Sequence, residues 1–380
     1  MPVPFLDLKQ QYAAVGQEII SGMMEVFENA AYILGPRVKA FEEDFAAFCG
    51  TAHCVAVSSG TDAVHAMLAV SDLPRGSGVI MPPNTFTATA EGVVLAGLVP
   101  VFVDVARGTW NLCPDAVEAF LEENSRSGRP VDPKSGAPVS AILPVDLYGR
   151  PAEMAVFERI AERFGLLLFE DACQAHGASR QGRMAGSFGH AAAFSFYPGK
   201  NLGAWGEGGA VTTNSDAVAA AIRSFRDHGS SEKYFYERIG HNYRMEAIQG
   251  VVLGVKLRYL PDWNRRRAEA AIRYSDLLAG LPLELPVEEE GVVNALHLYP
   301  VHTPARRELG VFLGGRGIGT GLHYPRPLHL QKAYAGLGYH EGDFPLSEYN
   351  SACNITLPMF PEITPEQQQE VADAIRSFFA

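Results

Sequence analysis

The sequence predicts an α/β protein with a mostly parallel, seven-stranded sheet that helices cover on both faces. Seven short apolar runs alternate with helical patterns between about residue 37 and residue 230. Apolar strands separated by helices form parallel sheets that are buried on both sides. The chain has 380 residues, and we expect a large domain over residues 1–255 and a smaller α/β domain over residues 256–380.

Local patterns place the elements along the chain. Gly50 ends a first helix, which carries Val38, Phe41, Phe45 and Phe48 on one face. Residues 122–139 are polar and contain Gly and Pro, which predicts a surface excursion. The predicted strands lie at 54–57, 79–81, 101–103, 141–145, 166–169, 191–196 and 210–213, and the predicted helices at 61–70, 87–96 and 152–164.

Two helix boundaries are predicted in the C-terminal third of the chain. A long helix begins near Met245, and Pro261 breaks or bends it, because proline removes a backbone donor and clashes with the preceding turn. The last helix begins at Thr364-Pro-Glu-Gln367, which is a capping-box pattern with proline at the first helical position.

Composition argues against several classes of function. The formal net charge of −12 disfavours nucleic acid or an anionic membrane surface as a partner. We expect a cytoplasmic protein, because the sequence has no apolar run of about 18 residues and no signal-peptide pattern at its start. The five cysteines include no CxxC pair, which favours free thiols over a disulfide framework or a metal site.

Three motifs directly follow predicted strands, where ligands bind to sheets of this type. The first, Ser58-Ser-Gly-Thr-Asp62, also begins a helix. Gly60 lets the backbone approach a ligand closely, Thr61 offers a hydroxyl, and the free N–H groups at a helix start suit a phosphate. The same residues equally fit an ordinary helix cap without a ligand.

The second motif ends the apolar run from Leu166 with Glu170 and Asp171. Carboxylates at the end of a buried strand are unfavourable unless a cation or a hydrogen-bond donor meets them. Asp171 is therefore suited to pair with a protonated pyridine nitrogen, or alternatively it caps the following loop. Gln174 and His176 follow in the same segment, either as pocket residues or as loop residues with satisfied polar groups.

The third motif, Phe194-Ser-Phe-Tyr-Pro-Gly-Lys-Asn-Leu-Gly203, places Lys200 in a Gly/Pro turn with little charge nearby. A lysine in such surroundings has a lowered amine pKa and can form an imine. Ser195 precedes Lys200 by five residues and is placed to donate to the same phosphate as the first motif. Taken alone, Lys200 also fits a solvated loop lysine.

The order of the three motifs resembles that of fold-type I enzymes that depend on pyridoxal phosphate (PLP). More specifically, the chain resembles the DegT/DnrJ/EryC1/StrS family of sugar aminotransferases over nearly its whole length. The resemblance rests on Glu170–Ala178, Gly186–Gly189, Ser195–Leu202 and Gly206–Gly209, and further on Pro4–Leu8, Gly35-Pro36, Ser59–Thr61, Pro83–Ala88, His241–Met245 and His323–Pro325. One departure is Glu207, where the family commonly has Asp.

The resemblance implies a role for each matching residue in holding PLP, and it implies no metal. Lys200 would form the Schiff base and carry the proton between donor and cofactor. Asp171 would bind the pyridine nitrogen, and Gln174 would lie beside the 3-hydroxyl. The remaining implied cofactor ligands are Phe86, stacking on the ring, Gly60, Thr61 and Ser195 at the phosphate, and Asn242, reaching the phosphate from the other subunit of a homodimer. Phe86 also fits a core residue, and Asn242 also fits a helix cap.

The resemblance further implies L-glutamate as amino donor and a nucleotide-linked keto sugar as acceptor, giving an amino sugar for glycan, lipopolysaccharide or natural-product biosynthesis. His323 and Tyr324 would lie near the sugar, although both also fit strand residues. Arg244 would meet the donor carboxylate or a diphosphate, or would be structural. The segment Val3–Tyr12 resembles members that aminate C3 of a hexose carried on dTDP or UDP.

Four other functions stay open at this point. Two keep the chemistry and change the acceptor, namely a 4-keto nucleotide-sugar aminotransferase and an aminocyclitol aminotransferase. A PLP-dependent lyase or dehydratase keeps the cofactor, but Lys200 opposes the dehydratase, because such relatives carry His at that position. A non-catalytic, regulatory PLP-binding protein is the fourth, and the sequence offers no basic patch or added DNA-binding segment for it.

Overall fold

The computed structural model describes residues 2–126 and 128–380. Its helices are α1 (Leu8–Glu28), α2 (Gly35–Cys49), α3 (Gly60–Ala69), α4 (Thr87–Leu95), α5 (Pro114–Glu123), α6 (Met154–Phe164), α7 (Asp216–Phe225), α8 (Ala247–Leu257), α9 (Leu260–Leu278), α10 (Arg306–Gly315), α11 (Pro345–Cys353) and α12 (Pro365–Phe379). The longer strands are β1 (His53–Val57), β2 (Gly78–Met81), β3 (Val99–Phe102), β6 (Val139–Ile142), β7 (Leu167–Asp171), β10 (Ala191–Ser195), β11 (Gly209–Thr213), β15 (Tyr299–His302) and β16 (Asn354–Leu357). The short strands are β4 (Ser125–Arg126), β5 (Arg129–Pro130), β8 (Ser179–Arg180), β9 (Arg183–Met184), β12 (Ser230–Glu232), β13 (Phe235–Tyr236) and β14 (Val292–Val293).

Seven strands form the central sheet in the order β1-β11-β10-β7-β6-β2-β3. The strands from β10 to β3 pair in parallel. β11 runs antiparallel to both of its neighbours, β1 and β10. The predicted mostly parallel, seven-stranded sheet is therefore confirmed, and each predicted strand coincides with an observed one apart from shifts at its ends.

Helices cover both faces of this sheet, because successive side chains of a strand point to opposite sides. Val55 and Val57 of β1 face a core that α3, α4 and α7 complete. Cys54 and Ala56 of the same strand face α2 and α8. Farther along that second face, α5 and α6 cover Ile80 and the neighbouring strands. The sheet is thus buried on both sides, and only its strand ends are accessible to a ligand.

A separate core lies between β15, β16, α9, α10 and α12. Val3 belongs to this core and forms a backbone bridge with Ile318. Leu328 and Tyr334, in contrast, pack with α3 and α4 beneath the central sheet. An N-terminal residue thus packs in the C-terminal core, and two residues from the C-terminal part of the chain pack in the core of the central sheet. The division into domains at residue 255 therefore stays a prediction.

The predicted helix boundaries are observed with one refinement. Pro261 lies in the first turn of α9, so α8 and α9 are two helices rather than one bent helix. The capping box is present, with the Gln367 N–H donating to Thr364 Oγ1 at 3.2 Å and the Thr364 N–H donating to Gln367 Oε1 at 3.0 Å. Over residues 2–126 and 128–380, every helix is too short or too polar to cross a membrane.

Candidate active site

A cavity of about 600 Å³ lies at the carboxyl ends of the parallel strands. Asp171 ends β7, Ser195 ends β10, and the segment after β2 adds Phe86. Nine of the eleven residues predicted for the site line this cavity, namely Gly60, Thr61, Phe86, Asp171, Gln174, Ser195, Lys200, His323 and Tyr324. The structure therefore brings together side chains that are far apart in the sequence.

Asp171 presents a carboxylate that two donors hold in place. Its Oδ2 accepts a hydrogen bond from Thr89 Oγ1 at 2.7 Å, and its Oδ1 accepts one from the Cys173 N–H at 3.2 Å. Asp171 is only 4% exposed, and it forms no ion pair within the described part of the chain. It does cap the following loop, as the alternative held, but its buried charge also suits a cationic group that enters the cavity.

Lys200 lies in the turn that follows β10. Its N–H donates to the Tyr197 carbonyl at 2.8 Å, which fixes the turn. Burial lowers the pKa of the Lys200 amine, while the nearby Cys173 and Asp171 act in the opposite direction. Within residues 2–126 and 128–380, Nζ has no hydrogen-bond or ion-pair partner. These surroundings favour a reactive amine over a solvated loop lysine.

The first turn of α3 and the end of β10 form a small concave surface. Ser59 caps α3, since its Oγ accepts from the Asp62 N–H at 3.1 Å. A Cβ added to Gly60 would lie 2.4 Å from Ser195 Cβ, so a larger residue does not fit there. The first N–H groups of a helix have no partner inside the helix. Those of Gly60 and Thr61, beside the Ser195 hydroxyl, suit an anion such as phosphate.

Gln174 and Tyr324 join two walls of the cavity. Gln174 Oε1 accepts from the Tyr148 N–H at 2.7 Å, and its Nε2 donates to Tyr324 Oη at 3.1 Å. His323 Nδ1 lies 2.9 Å from Thr356 Oγ1. Burial and the charge of Lys200 lower the pKa of His323 to about 4. His323 is therefore neutral near neutral pH, and neither His323 nor Tyr324 lies in a strand.

Phe86 and His176 lie in different surroundings. Phe86 is 52% exposed, and its ring centroid lies 5.6 Å from that of Tyr324. It is consequently a wall residue of the cavity rather than a core residue. His176 is fully buried instead, between the rings of Phe194 and Phe196, and lies outside the cavity lining.

Asn242 and Arg244 lie outside this cavity. Asn242 is exposed and forms a backbone bridge with Asp227. Glu246, not Asn242, occupies the N-cap position of α8, so the cap alternative does not hold. Arg244 Nη1 lies 2.6 Å from Asp227 Oδ1. Contact of Asn242 with a cofactor bound to another subunit stays a prediction.

A pair of buried carboxyl groups lies behind Asp171. Asp146 and Glu170 are both 0% exposed. Asp146 Oδ1 accepts from the Ala152 N–H at 2.8 Å, and Glu170 Oε2 accepts from the Gly186 N–H at 2.9 Å. Their other oxygens, Oδ2 and Oε1, are buried without a partner among the described residues. Burial raises the pKa of Glu170 and that of Asp146, the latter to about 7.

Sequence reasoning missed several residues of the site. Thr89, Cys173 and His297 line the cavity, and Tyr148 orients Gln174. Burial lowers the pKa of His297 well below its usual value. The sequence around Thr89 offers only a weak signal, namely its position directly after the segment Pro83–Ala88. His297 had none, since it precedes β15 and belongs to no recognised motif.

Comparisons with known proteins give a consistent result. The family model of the DegT/DnrJ/EryC1/StrS aminotransferase family matches residues 13–376. A dTDP-3-amino-3,4,6-trideoxy-alpha-D-glucose transaminase from Streptomyces venezuelae is 40% identical over 99% of this chain and 96% of its own length. A pleiotropic regulatory protein from Geobacillus stearothermophilus is 40% identical over 100% of this chain and 99% of its own. The crystal structure of NtdA from Bacillus subtilis with bound cofactor PMP superposes with a TM-score of 0.89, at 29% identity, over 100% of this chain and 85% of that one.

Proposed function

Since this chain belongs to the DegT/DnrJ/EryC1/StrS aminotransferase family, we propose that it moves an amino group from L-glutamate to C3 of a keto-hexose carried on dTDP or UDP. Aminotransferases of this family depend on PLP in general. The relative from Streptomyces venezuelae is named for a transaminase of a dTDP-linked 3-amino sugar, which supports the carbon and the carrier proposed here.

The observation that carries the proposal is the cavity itself. A buried carboxylate lines it together with a partly buried lysine whose amine has no partner among the residues that the structure describes. These features fit PLP. The N-terminus of α3 with Ser195 suits its phosphate, Asp171 suits a protonated pyridine nitrogen, and the exposed ring of Phe86 offers a stacking surface. Gln174 is held by Tyr148 and Tyr324 at a fixed orientation, which suits a hydroxyl of the cofactor.

PLP, when bound, supplies an aldehyde that condenses with amines and a ring that takes up electrons. This chain's residues supply the proton transfer. Burial lowers the pKa of the Lys200 amine, so Nζ can act as a base that takes a proton from the donor and returns it. Asp171 would pair with the pyridine nitrogen of bound PLP, because Thr89 Oγ1 and the Cys173 N–H hold its carboxyl group in place at the wall of the cavity.

Replacing Lys200 tests the proposal directly. Lys200→Ala is expected to abolish turnover and the visible absorption of lysine-bound PLP, because no other amine lines the cavity as the structure describes it. The matched control is Lys39→Ala, a solvent-exposed lysine on α2, which should leave both unchanged. Turnover and absorption that both survive in Lys200→Ala would refute the proposal.

Half-reactions separate the remaining alternatives. Glutamate alone should convert bound PLP to pyridoxamine phosphate, whereas a lyase or a regulatory PLP-binding protein should not give this product. The loaded enzyme should then aminate a 3-keto sugar nucleotide. If the enzyme aminates only a 4-keto sugar nucleotide, or only a free keto-inositol, the proposed acceptor is wrong. The proposed transfer of the amino group through the cofactor would still stand.

We also propose that the protein is a homodimer with shared active sites and that Asn242 reaches the phosphate in its partner. Its exposed position outside the cavity of its own chain supports this arrangement. We likewise keep the division into a cofactor domain over residues 1–255 and a smaller domain over residues 256–380 as a proposal.

A further inference from the structure

A second concave surface adjoins the active-site cavity. This groove has a volume of about 540 Å³. Thr85, Phe86 and Tyr324 line both the groove and the cavity, so the two spaces are adjacent and share one wall. A ligand whose one end lies in the cavity can therefore extend along the groove without crossing a protein layer.

The groove is positively charged. Arg326 and Lys332 are the charged residues of its described lining, and no carboxylate belongs to that lining. Both side chains are exposed. Neither forms an ion pair with any residue in the ranges 2–126 and 128–380. Two cations without counter-charges are notable in a protein whose formal net charge is −12, and they make the groove a local attractor for anions.

Local contacts hold this surface in shape. Arg326 Nε donates to the Leu330 carbonyl at 2.7 Å, which leaves the two terminal nitrogens of the guanidinium free for a ligand. The Tyr334 hydroxyl lies 2.8 Å from Thr87 Oγ1, so this ring is fixed to the first turn of α4. The groove thus combines a planar, preoriented guanidinium with aromatic side walls.

We propose that this groove binds the nucleoside diphosphate of the acceptor, with Arg326 and Lys332 contacting the diphosphate. The inference rests on the proposed function, namely a nucleotide-linked keto sugar as substrate. A cavity of about 600 Å³ has the size of a site for one drug-sized ligand, so the cofactor and the sugar together would occupy it and the nucleotide would extend beyond it. Guanidinium groups bind phosphate oxygens through paired hydrogen bonds, and a lysine adds a second charge.

Charge-removing variants test the groove. In Arg326→Gln and Lys332→Gln, we expect KM for the sugar nucleotide to rise about tenfold each, because one charge-assisted hydrogen bond contributes about 1.5 kcal/mol. Inhibition by UDP or dTDP should weaken by the same factor, and the double variant should lose about a hundredfold. The rate constant at saturation and the half-reaction with glutamate should stay unchanged. Arg307→Gln, an exposed arginine on α10, is the matched control.

Two outcomes would overturn the inference and keep it distinct from the proposed function. If the wild-type protein aminates a sugar nucleotide while the double variant keeps KM and nucleotide inhibition unchanged, the function stands and the groove is not the nucleotide site. If no sugar nucleotide is aminated, the proposed function fails, and calorimetric titration with UDP and dTDP then decides the groove alone. The groove is supported as the nucleotide site if the wild type binds UDP or dTDP and the double variant does not. It is refuted if both proteins bind equally well or if the wild type does not bind.

Discussion

Gly60 shows how one residue sets the shape of the candidate phosphate site. The missing side chain lets the start of α3 touch the end of β10, where a Cβ would lie 2.4 Å from Ser195 Cβ and 2.9 Å from its Oγ. The backbone N–H groups at the start of α3 and the Ser195 hydroxyl can therefore bind the same anion. The requirement is for small size rather than for an unusual backbone angle, because φ of Gly60 lies outside the positive region.

Gly60→Ala should weaken PLP binding by about 5-fold to 150-fold, since relieving such an overlap costs about 1–3 kcal/mol and moves α3 away from Ser195. PLP titration followed by absorbance measures the change. Gly314→Ala, where an added Cβ meets no atom within 4 Å, should bind PLP like the wild type. An alanine at position 60 that leaves affinity unchanged would mean that the phosphate is held elsewhere.

Single residues of the site differ in how well the sequence predicts them. Lys200 and Asp171 stand out because charged groups at the ends of apolar strands are unusual and need a partner. Thr89 does not stand out, because a threonine in a first helical turn has many uses and its contact with Asp171 forms only on folding. The same holds for Asp146, which follows a predicted strand but whose facing partner, Glu170, lies on the neighbouring strand.

At the scale of elements, Asp146 and Glu170 couple β7 to the loop after β6. The pKa of each group is raised, chiefly by burial and for Glu170 also by the charge of Asp146, so the pair retains a proton more readily than exposed carboxyl groups do. Asp171 adds a further negative charge near Asp146, and Arg180 adds a positive one. The raised pKa of Asp146, about 7 against an ordinary value of 3.8, makes the fold more stable where this group is protonated.

The pair predicts a pH dependence of stability. The contribution of Asp146 is fully present below pH 3.8 and is lost as pH rises through about 7. Asp146→Asn replaces the titrating group by a permanent donor, so the free energy of unfolding should depend less on pH within this window. Urea unfolding at several pH values measures the slope, and Asp72→Asn, an exposed carboxyl after α3, is the control. An unchanged slope in Asp146→Asn would contradict the shared proton.

Elements were predicted where their pattern is strong. The seven sheet strands are apolar because both of their faces are buried. α1 has no such signal, since its buried stripe includes Gln11 and Gly16 while Met24 and Phe27 are 49% exposed. The hairpin β4–β5 was predicted only as a surface excursion, because strands of two residues leave no periodicity to detect.

At the scale of the whole molecule, two exposed apolar segments support the proposed homodimer. One belongs to α1 and the residues after it, and the other to the hairpin β12–β13 and its flank. Their half-exposed or exposed side chains are Tyr12, Met24, Phe27, Tyr32 and Ile33 in the first, and Tyr234, Phe235, Tyr236 and Ile239 in the second. Large apolar patches of this kind mark interaction surfaces, and the second lies close to Asn242 in the sequence.

Mixed dimers test whether the sites are shared. Lys200→Ala and Asn242→Ala should each be nearly inactive alone, and equal amounts refolded together should recover about a quarter of wild-type activity. In the mixture half of the dimers combine both variants, and each of these has one intact site. Sites contained within one chain would instead recover nothing.

The pairing of β1 with β11 has a consequence for how the protein is made. Val57 pairs with Gly209, and His53 with Thr213. The first strand of the sheet to be synthesised, β1, therefore cannot pair until the last one, β11, has left the ribosome. At about 5–20 residues per second, this interval lasts roughly 8–30 seconds. During that time β2 and β3 can already pair, whereas the apolar strand β1 has no partner strand. Nascent chains stalled before residue 209 are therefore the species that chaperones should recognise.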